Sequence, residues 1–240
     1  LNLILFNWFI TLNDIKSSNN SINKIMEQFI KITLFVHVLS GGIALLSGLG
    51  AIFTKKGQKK HILSGSIYFW SMLLVTLTGL LVGLYRGNVF LQTIAVFSFY
   101  MAFTGKRVLR YKKAITPNYL DWSANLLALS VSMLMLIWGI LILSQKGFVG
   151  AAPMLLVFGG LLFSMTVNDA IKMRKKKFVK NAWLLDHISR MGGSFIATTT
   201  AFLLVNSNVQ PVWIMWLLPT VIGTPLIIQA SNKWRKKLSV

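Results

Sequence analysis

The stretch FVHVLSGGIALLSGLGAIF, residues 35–53, carries no charge and consists almost entirely of apolar and small side chains. It lies within a charge-free run at 32–54, and a helix needs about 20 apolar residues to cross roughly 30 Å of hydrocarbon. The further charge-free runs are 62–85, 87–105, 122–145, 147–168 and 191–232. The last of these is long enough for two crossings, and the polar segment NSNVQP (206–211) divides it. The sequence therefore predicts an all-α integral membrane bundle of about seven transmembrane helices.

The composition agrees with this architecture, since 55% of the residues are hydrophobic and only 12% are charged. Soluble domains carry about 25% charged residues. We expect an N-terminal extension (1–28), a seven-helix transmembrane domain (29–230) and a basic cytoplasmic tail (231–240). The predicted helices are 29–53, 62–84, 89–104, 122–143, 149–168, 187–205 and 212–230.

The first twelve residues, LNLILFNWFITL, are apolar but too few to cross a bilayer as a helix. They lack the basic region and small-residue cleavage site of a signal peptide. We interpret the extension as an interfacial segment or as sequence upstream of the natural start.

The basic residues are concentrated in alternate connecting segments, together with the C-terminus, although the net charge is +20. Lys and Arg in short loops mark the cytoplasmic side of a membrane. The predicted topology places the N-terminus outside and the C-terminus inside. The basic loops are expected to lie against anionic headgroups of the lipid bilayer. Because the charge distribution is explained by membrane topology, it argues against nucleic acid as a partner.

Several kinds of chemistry are excluded by what the sequence lacks. It has no Cys, so thiolate metal sites, disulfides and Cys nucleophiles are absent. It has no Walker-type loop, GxSxG, HExxH or GxGxxG motif, which argues against an ordinary hydrolase or a nucleotide-driven pump. No catalytic residue can be assigned, and whether the chain is an enzyme stays open.

His37 is an ionisable residue inside the first predicted crossing. Helical spacing places it on one face with a stripe of small residues, which include Gly41, Ala44 and Gly48. Such stripes let membrane helices approach closely. His37 is therefore expected to face another helix, either as a hydrogen-bonded packing residue or as a functional group.

A second group of candidates lies at the inner ends of the predicted helices. His61 begins helix 2 and His187 begins helix 6, so the two imidazoles are expected at similar depth. Together with nearby carboxylates and Arg190, they can bind an anion, a metal or a haem, or relay protons; the alternative is ion pairing within a basic layer. The candidate ligand or cofactor residues are His37, His61, Tyr68, Asp121, Asp169, Asp186, His187 and Arg190.

Two blocks of sequence carry a resemblance to a known group. One is His37 with its following glycines, KKGQKKH (55–61) and GSIYF (65–69); the other is WLLDHISRMGGS (183–194) with TAFLLVN (200–206). They resemble uncharacterised bacterial multi-pass membrane proteins catalogued as a domain of unknown function. The resemblance implies a multi-pass protein of the bacterial cytoplasmic (inner) membrane. Members often have His-Arg where this chain has His61-Ile62.

A looser similarity connects the chain to b-type haem membrane proteins, in which His residues on neighbouring helices ligate iron. Three histidines are too few for two bis-His haems, but the similarity implies that His61 and His187 can hold one. The leading hypothesis is a cofactor-binding, redox-type membrane protein with a single haem b. The alternatives are a small-molecule or ion/proton transporter with His37 in its pathway, and a structural or assembly protein.

Overall fold

The fold is all-helical in the computed structural model, which describes residues 2–87, 89–113, 116–147, 152–175, 182–207, 209–210 and 213–238. Within these ranges, the side chains of 2–21, 89–91, 111–113 and 213 are outside the description. A 3₁₀ turn, Val108–Lys113, follows the third helix. The α-helices are α1 (Asn2–Phe53), α2 (Lys59–Tyr85), α3 (Val89–Arg107), α4 (Tyr119–Lys146), α5 (Ala152–Lys175), α6 (Ala182–Asn206) and α7 (Trp213–Leu238).

Six of these helices are long and apolar enough, in their described residues, to cross a membrane. The remaining helix, α3, has 19 residues and a length of about 28 Å, which is close to the hydrocarbon thickness. Large apolar side chains such as Leu46 and Leu134 are 74% and 63% exposed on the outside of the bundle. This surface suits lipid, and the predicted helical membrane bundle is confirmed.

The helices extend beyond the apolar runs that predict them. The predicted crossing at 29–53 is the second half of α1, and the basic residues after 230 continue α7 to Leu238. The predicted helix 149–168 ends before Asp169, but α5 continues to Lys175. Charged residues end the hydrophobic run without ending the helix, because Lys and Arg in a last turn favour its negative dipole end.

Consecutive helices pack against each other at α1–α2, α2–α3, α3–α4, α4–α5 and α6–α7, whereas α5 and α6 have no close backbone contact among the described residues. The central helix is α3, which packs against α2, α4, α5 and α6. Its side chains Phe97, Tyr100, Met101 and Ala102 are buried. We call the end of the bundle where α1, α3, α5 and α7 terminate and α2, α4 and α6 begin the basic end.

Small residues bring helices together at two places that matter for the site. Ala44 and Gly48 of the small-residue stripe on α1 are buried. A Cβ at Gly48 would lie 2.5 Å from the ring of Phe195 on α6. A Cβ at Gly105, in the last turn of α3, would lie 2.9 Å from Cβ of Arg190. Both glycines hold α6 close to its neighbours near the basic end.

Candidate histidine pair and adjacent charged cleft

His61 and His187 face each other at the basic end. Their ring centroids are 6.4 Å apart and their ring planes make an angle of 79°. His61 lies in the first turn of α2 and His187 in the second turn of α6. The sequence places both residues at helix starts, and the structure brings the two rings together.

Each imidazole is held by a carbonyl oxygen at the end of a neighbouring helix. His61 Nδ1 is 2.9 Å from the carbonyl oxygen of Ala51, in the last turn of α1. His187 Nδ1 is 2.7 Å from the carbonyl oxygen of Gly105, in the last turn of α3. The last four carbonyls of a helix have no partner within it, so they are available to outside donors.

These contacts determine which ring nitrogen carries the hydrogen in each imidazole. A carbonyl oxygen can only accept, so Nδ1 carries the hydrogen in His61 and in His187. In the neutral rings, each Nε2 therefore keeps a lone pair, and no hydrogen bond involves it in the described part of the chain. Metal-ligating histidines have this arrangement, in which the second nitrogen donates to a carbonyl and fixes the ring orientation.

Lys56 reinforces the anchor of His61. Its Nζ donates to the carbonyl oxygens of Ala51 and Ile52, so Ala51 accepts from both Lys56 and His61. Desolvation at the end of α1 lowers the pKa of Lys56 below the ordinary lysine value. The loop between α1 and α2 thereby ties the end of one helix to the start of the next.

Deeper in the bundle, α2 and α6 are linked only through side chains. No Cα atoms of these two helices lie within 8 Å of each other among the described residues. The hydroxyl of Tyr68 is 2.8 Å from that of Ser194 and 3.3 Å from that of Thr198. Ser194 in turn donates to the carbonyl oxygen of Ser98 on α3. Because that chain ends at a carbonyl, it joins helices and does not relay a proton.

The three carboxylates of the basic end do not join the histidine pair. They line a separate cleft of about 60 Å³ between α3, α4, α5 and α6. Asp121 binds Arg107 at 2.7 Å, Asp169 binds Arg190 at 2.6 Å, and Asp186 binds Lys172 at 3.0 Å. Among the described residues, no group of three or more His, Asp or Glu side chains is placed to hold a metal ion. The expected cluster is thus divided into an imidazole pair and a cleft of ion pairs.

Asp169 is the most elaborately bound of these carboxylates. Its Oδ2 accepts from the hydroxyl of Tyr100 at 2.8 Å, and its Oδ1 accepts from Arg190. Asn125 donates to the Tyr100 hydroxyl and to the carbonyl oxygen of Thr166. This network connects α3, α4, α5 and α6.

Asp121 has a structural role at the start of α4. It forms a reciprocal capping box with Asn118, in which each side chain accepts from the other residue's backbone amide. Arg107 donates to both carboxylate oxygens of Asp121 and to the side chain of Asn118. This pair fixes the turn between α3 and α4.

His37 lies apart from both sites. Fourteen residues separate it from Ala51, about 21 Å along α1. Its Nδ1 is 2.9 Å from the hydroxyl of Thr78 on α2, and Gly79 lies against its ring. His37 therefore faces a neighbouring helix, as the small-residue stripe predicts.

Sequence reasoning missed several contributors to these sites, among them Lys172, which binds Asp186. Tyr100 and Arg107 lack any motif, and the carbonyls of Ala51 and Gly105 leave no trace in side-chain chemistry. The Asn-x-x-Asp spacing at 118–121 is typical of a helix N-cap, but it gives no signal for Arg107, which lies eleven residues earlier.

Comparisons with protein-family models, curated proteins and solved structures find no match to this chain.

Proposed function

We propose that this chain is a redox-type protein of the bacterial cytoplasmic membrane that holds one haem b between His61 and His187. The observation that carries the proposal is the paired geometry of the two imidazoles. Each has Nδ1 anchored on a carbonyl, and their centroids are 6.4 Å apart. The resemblance in sequence to bacterial multi-pass proteins supports the location, with the basic loops against anionic lipid headgroups.

The two rings are close enough for both to reach one group between them, since their centroids are 6.4 Å apart. With Nδ1 of each ring bound to a carbonyl oxygen, Nε2 of His61 and Nε2 of His187 are the nitrogens that would hold that group.

The number of ligands favours a haem over a bare metal ion. Structural and catalytic zinc sites use three or four protein ligands. The described residues bring only two imidazoles together, and no carboxylate joins them. A porphyrin supplies four nitrogens of its own and needs only the two axial positions, which His61 and His187 would occupy. Their donor set fits this group.

A haem bound here would supply one-electron transfer. The chain's contribution is orientation and electronic tuning. The carbonyls of Ala51 and Gly105 hold the two Nδ1 hydrogens and raise the basicity of each Nε2. The negative dipole ends of α1 and α3 act in the same direction, because they favour positive charge near both rings.

The proposal is tested by the absorbance spectrum of protein purified from haem-replete cells. The wild-type chain is expected to show a Soret band from low-spin haem. His61→Ala and His187→Ala should each abolish or strongly shift it, whereas the matched variant His37→Ala should leave it unchanged.

Two outcomes of this experiment contradict the proposal. One is a colourless wild-type protein that is nevertheless folded, as judged by a monodisperse elution profile and a helical circular dichroism spectrum. The other is a Soret band that persists in the His61→Ala/His187→Ala double variant.

The transporter alternative requires a polar pathway that reaches His37. The cleft at the basic end is lined by residues of α3, the 3₁₀ turn, α4, α5 and α6, and His37 does not line it. The imidazole of His37 is instead packed against Thr78 and Gly79. In the described part of the chain, no specific observation favours transport over the redox assignment.

A further inference from the structure

The carboxylates of the charged cleft are already bound by donors. Each carboxylate oxygen on its wall accepts at least one hydrogen bond: those of Asp121 from Arg107, those of Asp186 from Lys172, and those of Asp169 from Tyr100 and Arg190. The ionised carboxylates have no hydrogen to donate. Among the described residues, the buried side-chain atom that lacks a partner on this wall is instead a donor.

Two cations on the same wall keep donor capacity. Arg190 Nη1 is buried and has no hydrogen-bond partner, the only such side-chain atom found in the described residues. Within the described part of the chain, the Nζ of Lys172 donates to Asp186 alone, and an ammonium group has three N–H donors. A buried donor without a partner costs free energy, which an incoming acceptor recovers.

The cleft itself is electrically balanced, but its surroundings are strongly positive. The three carboxylates of the cleft are each neutralised by a cation, and the chain as a whole carries a net charge of +20. Lys and Arg greatly outnumber acids in the segments at the basic end. Fields of one sign concentrate oppositely charged ligands in clefts.

We propose that this cleft is a binding site for a small oxyanion group, with Arg190 and Lys172 as the residues that hold it. The volume of about 60 Å³ is several times the roughly 10–15 Å³ of cavity that one water needs, so the cleft has room for a small oxyanion group such as a carboxylate. The site is separate from the imidazole pair. Its proposal does not depend on haem binding.

Formate is the probe for this proposal. Purified protein in discs of neutral phosphatidylcholine is titrated with sodium formate at constant ionic strength, with sodium chloride as the balancing salt. The wild-type chain is expected to show a saturable rise in Tm, because a ligand that binds only the folded state stabilises it.

Arg190→Lys is the decisive variant, since it keeps a positive charge beside Asp169 but removes the guanidinium donors. Its apparent Kd for formate should be at least about tenfold weaker, the effect of losing one charged hydrogen bond. Arg174→Gln, an exposed arginine on α5 outside the cleft, is the matched control and should bind as the wild type does. If Arg190→Lys fails to fold, Lys172→Gln replaces it, because its exposed ion pair contributes little to folding.

Two results overturn the proposal. Either the wild-type Tm does not respond to formate, in which case the cleft holds water only, or the variants respond as strongly as the wild type does.

A second set of discs containing phosphatidylglycerol identifies the source of the oxyanion. If that lipid raises Tm and reduces the formate response only in chains that keep Arg190, the group comes from a headgroup; if formate binding is unaffected, it is a free solute.

Discussion

The hydroxyl groups of Tyr68 and Ser194 lie 2.8 Å apart and join two helices whose backbones do not touch. Ser194 donates its hydrogen to the carbonyl oxygen of Ser98, so Tyr68 must be the donor to Ser194. Tyr68 is only 2% exposed. Thr198 of α6 adds a 3.3 Å contact with the Tyr68 hydroxyl and a bond to the sulfur of Met72 on α2. These polar contacts link α2 and α6 two turns below the histidine pair.

Tyr68→Phe should therefore destabilise the bundle. The variant removes the buried hydroxyl that contacts Ser194 and Thr198 across the helices, and an interhelical bond of this kind is worth about 0.6–1.5 kcal/mol. The free energy of unfolding in mixed micelles measures the loss. Tyr119→Phe is the control, because Tyr119 is 83% exposed and should tolerate the same change. Equal effects of the two substitutions would show that the Tyr68 hydroxyl contributes no interhelical bond.

Gly48→Ala tests the close approach of α1 and α6. The new Cβ would lie 2.5 Å from the Phe195 ring and 3.2 Å from Tyr68, so one ring must move. Overpacking of this kind costs about 1–3 kcal/mol. Gly41→Ala introduces the same methyl group on α1 with nothing within 4 Å, and it should be neutral or slightly stabilising because Ala favours a helix. Unfolding midpoints that fall equally in both variants would refute the assigned contact.

The sequence predicts the helices well because a bilayer leaves few choices. Unsatisfied backbone groups are costly in hydrocarbon, so a long apolar run must become a helix. The positions of His61 and His187 at helix starts follow from the same runs. The extension of α5 past Asp169 does not follow, since hydropathy marks the membrane boundary and not the end of a helix.

The site is predicted only in part, because its pairing is a tertiary property. Helical spacing places Tyr68 on the face of His61 and Ser194 on the face of His187, but nothing in the sequence states that α2 and α6 face each other. The carbonyls of Ala51 and Gly105 that hold the rings are backbone atoms, which every residue possesses. Which backbone carbonyls bind the two rings is therefore decided by helix packing and not by residue type.

Thr78→Val tests the partner of His37. The Thr78 hydroxyl donates to the carbonyl oxygen of Leu74 and accepts from His37, so valine leaves the imidazole N–H without that acceptor. We expect a loss of about 1 kcal/mol, and a double-mutant cycle with His37→Ala should give a coupling of about 0.6–1.5 kcal/mol. Thr199→Val is the control, because the Thr199 hydroxyl bonds within its own helix alone among the residues described. A coupling of zero would contradict the pairing.

Asp169→Asn and Asp186→Asn separate a buried ion pair from an exposed one. The side chains of Asp169 and Arg190 are 16% and 14% exposed, so the first substitution leaves a largely buried guanidinium without its counter-charge. Breaking a buried ion pair lowers the free energy of unfolding by about 3–5 kcal/mol. Because the asparagine oxygen can still accept a hydrogen bond from Arg190, we expect a loss near the lower limit. The side chains of Asp186 and Lys172 are 36% and 46% exposed, so the second substitution should cost about 0–1 kcal/mol.

Reversible unfolding of both variants in mixed micelles measures the difference. If Asp169→Asn is as mild as Asp186→Asn, water reaches the Arg190 pair, and the Tyr100–Asp169–Arg190 network does not hold α3, α5 and α6 together.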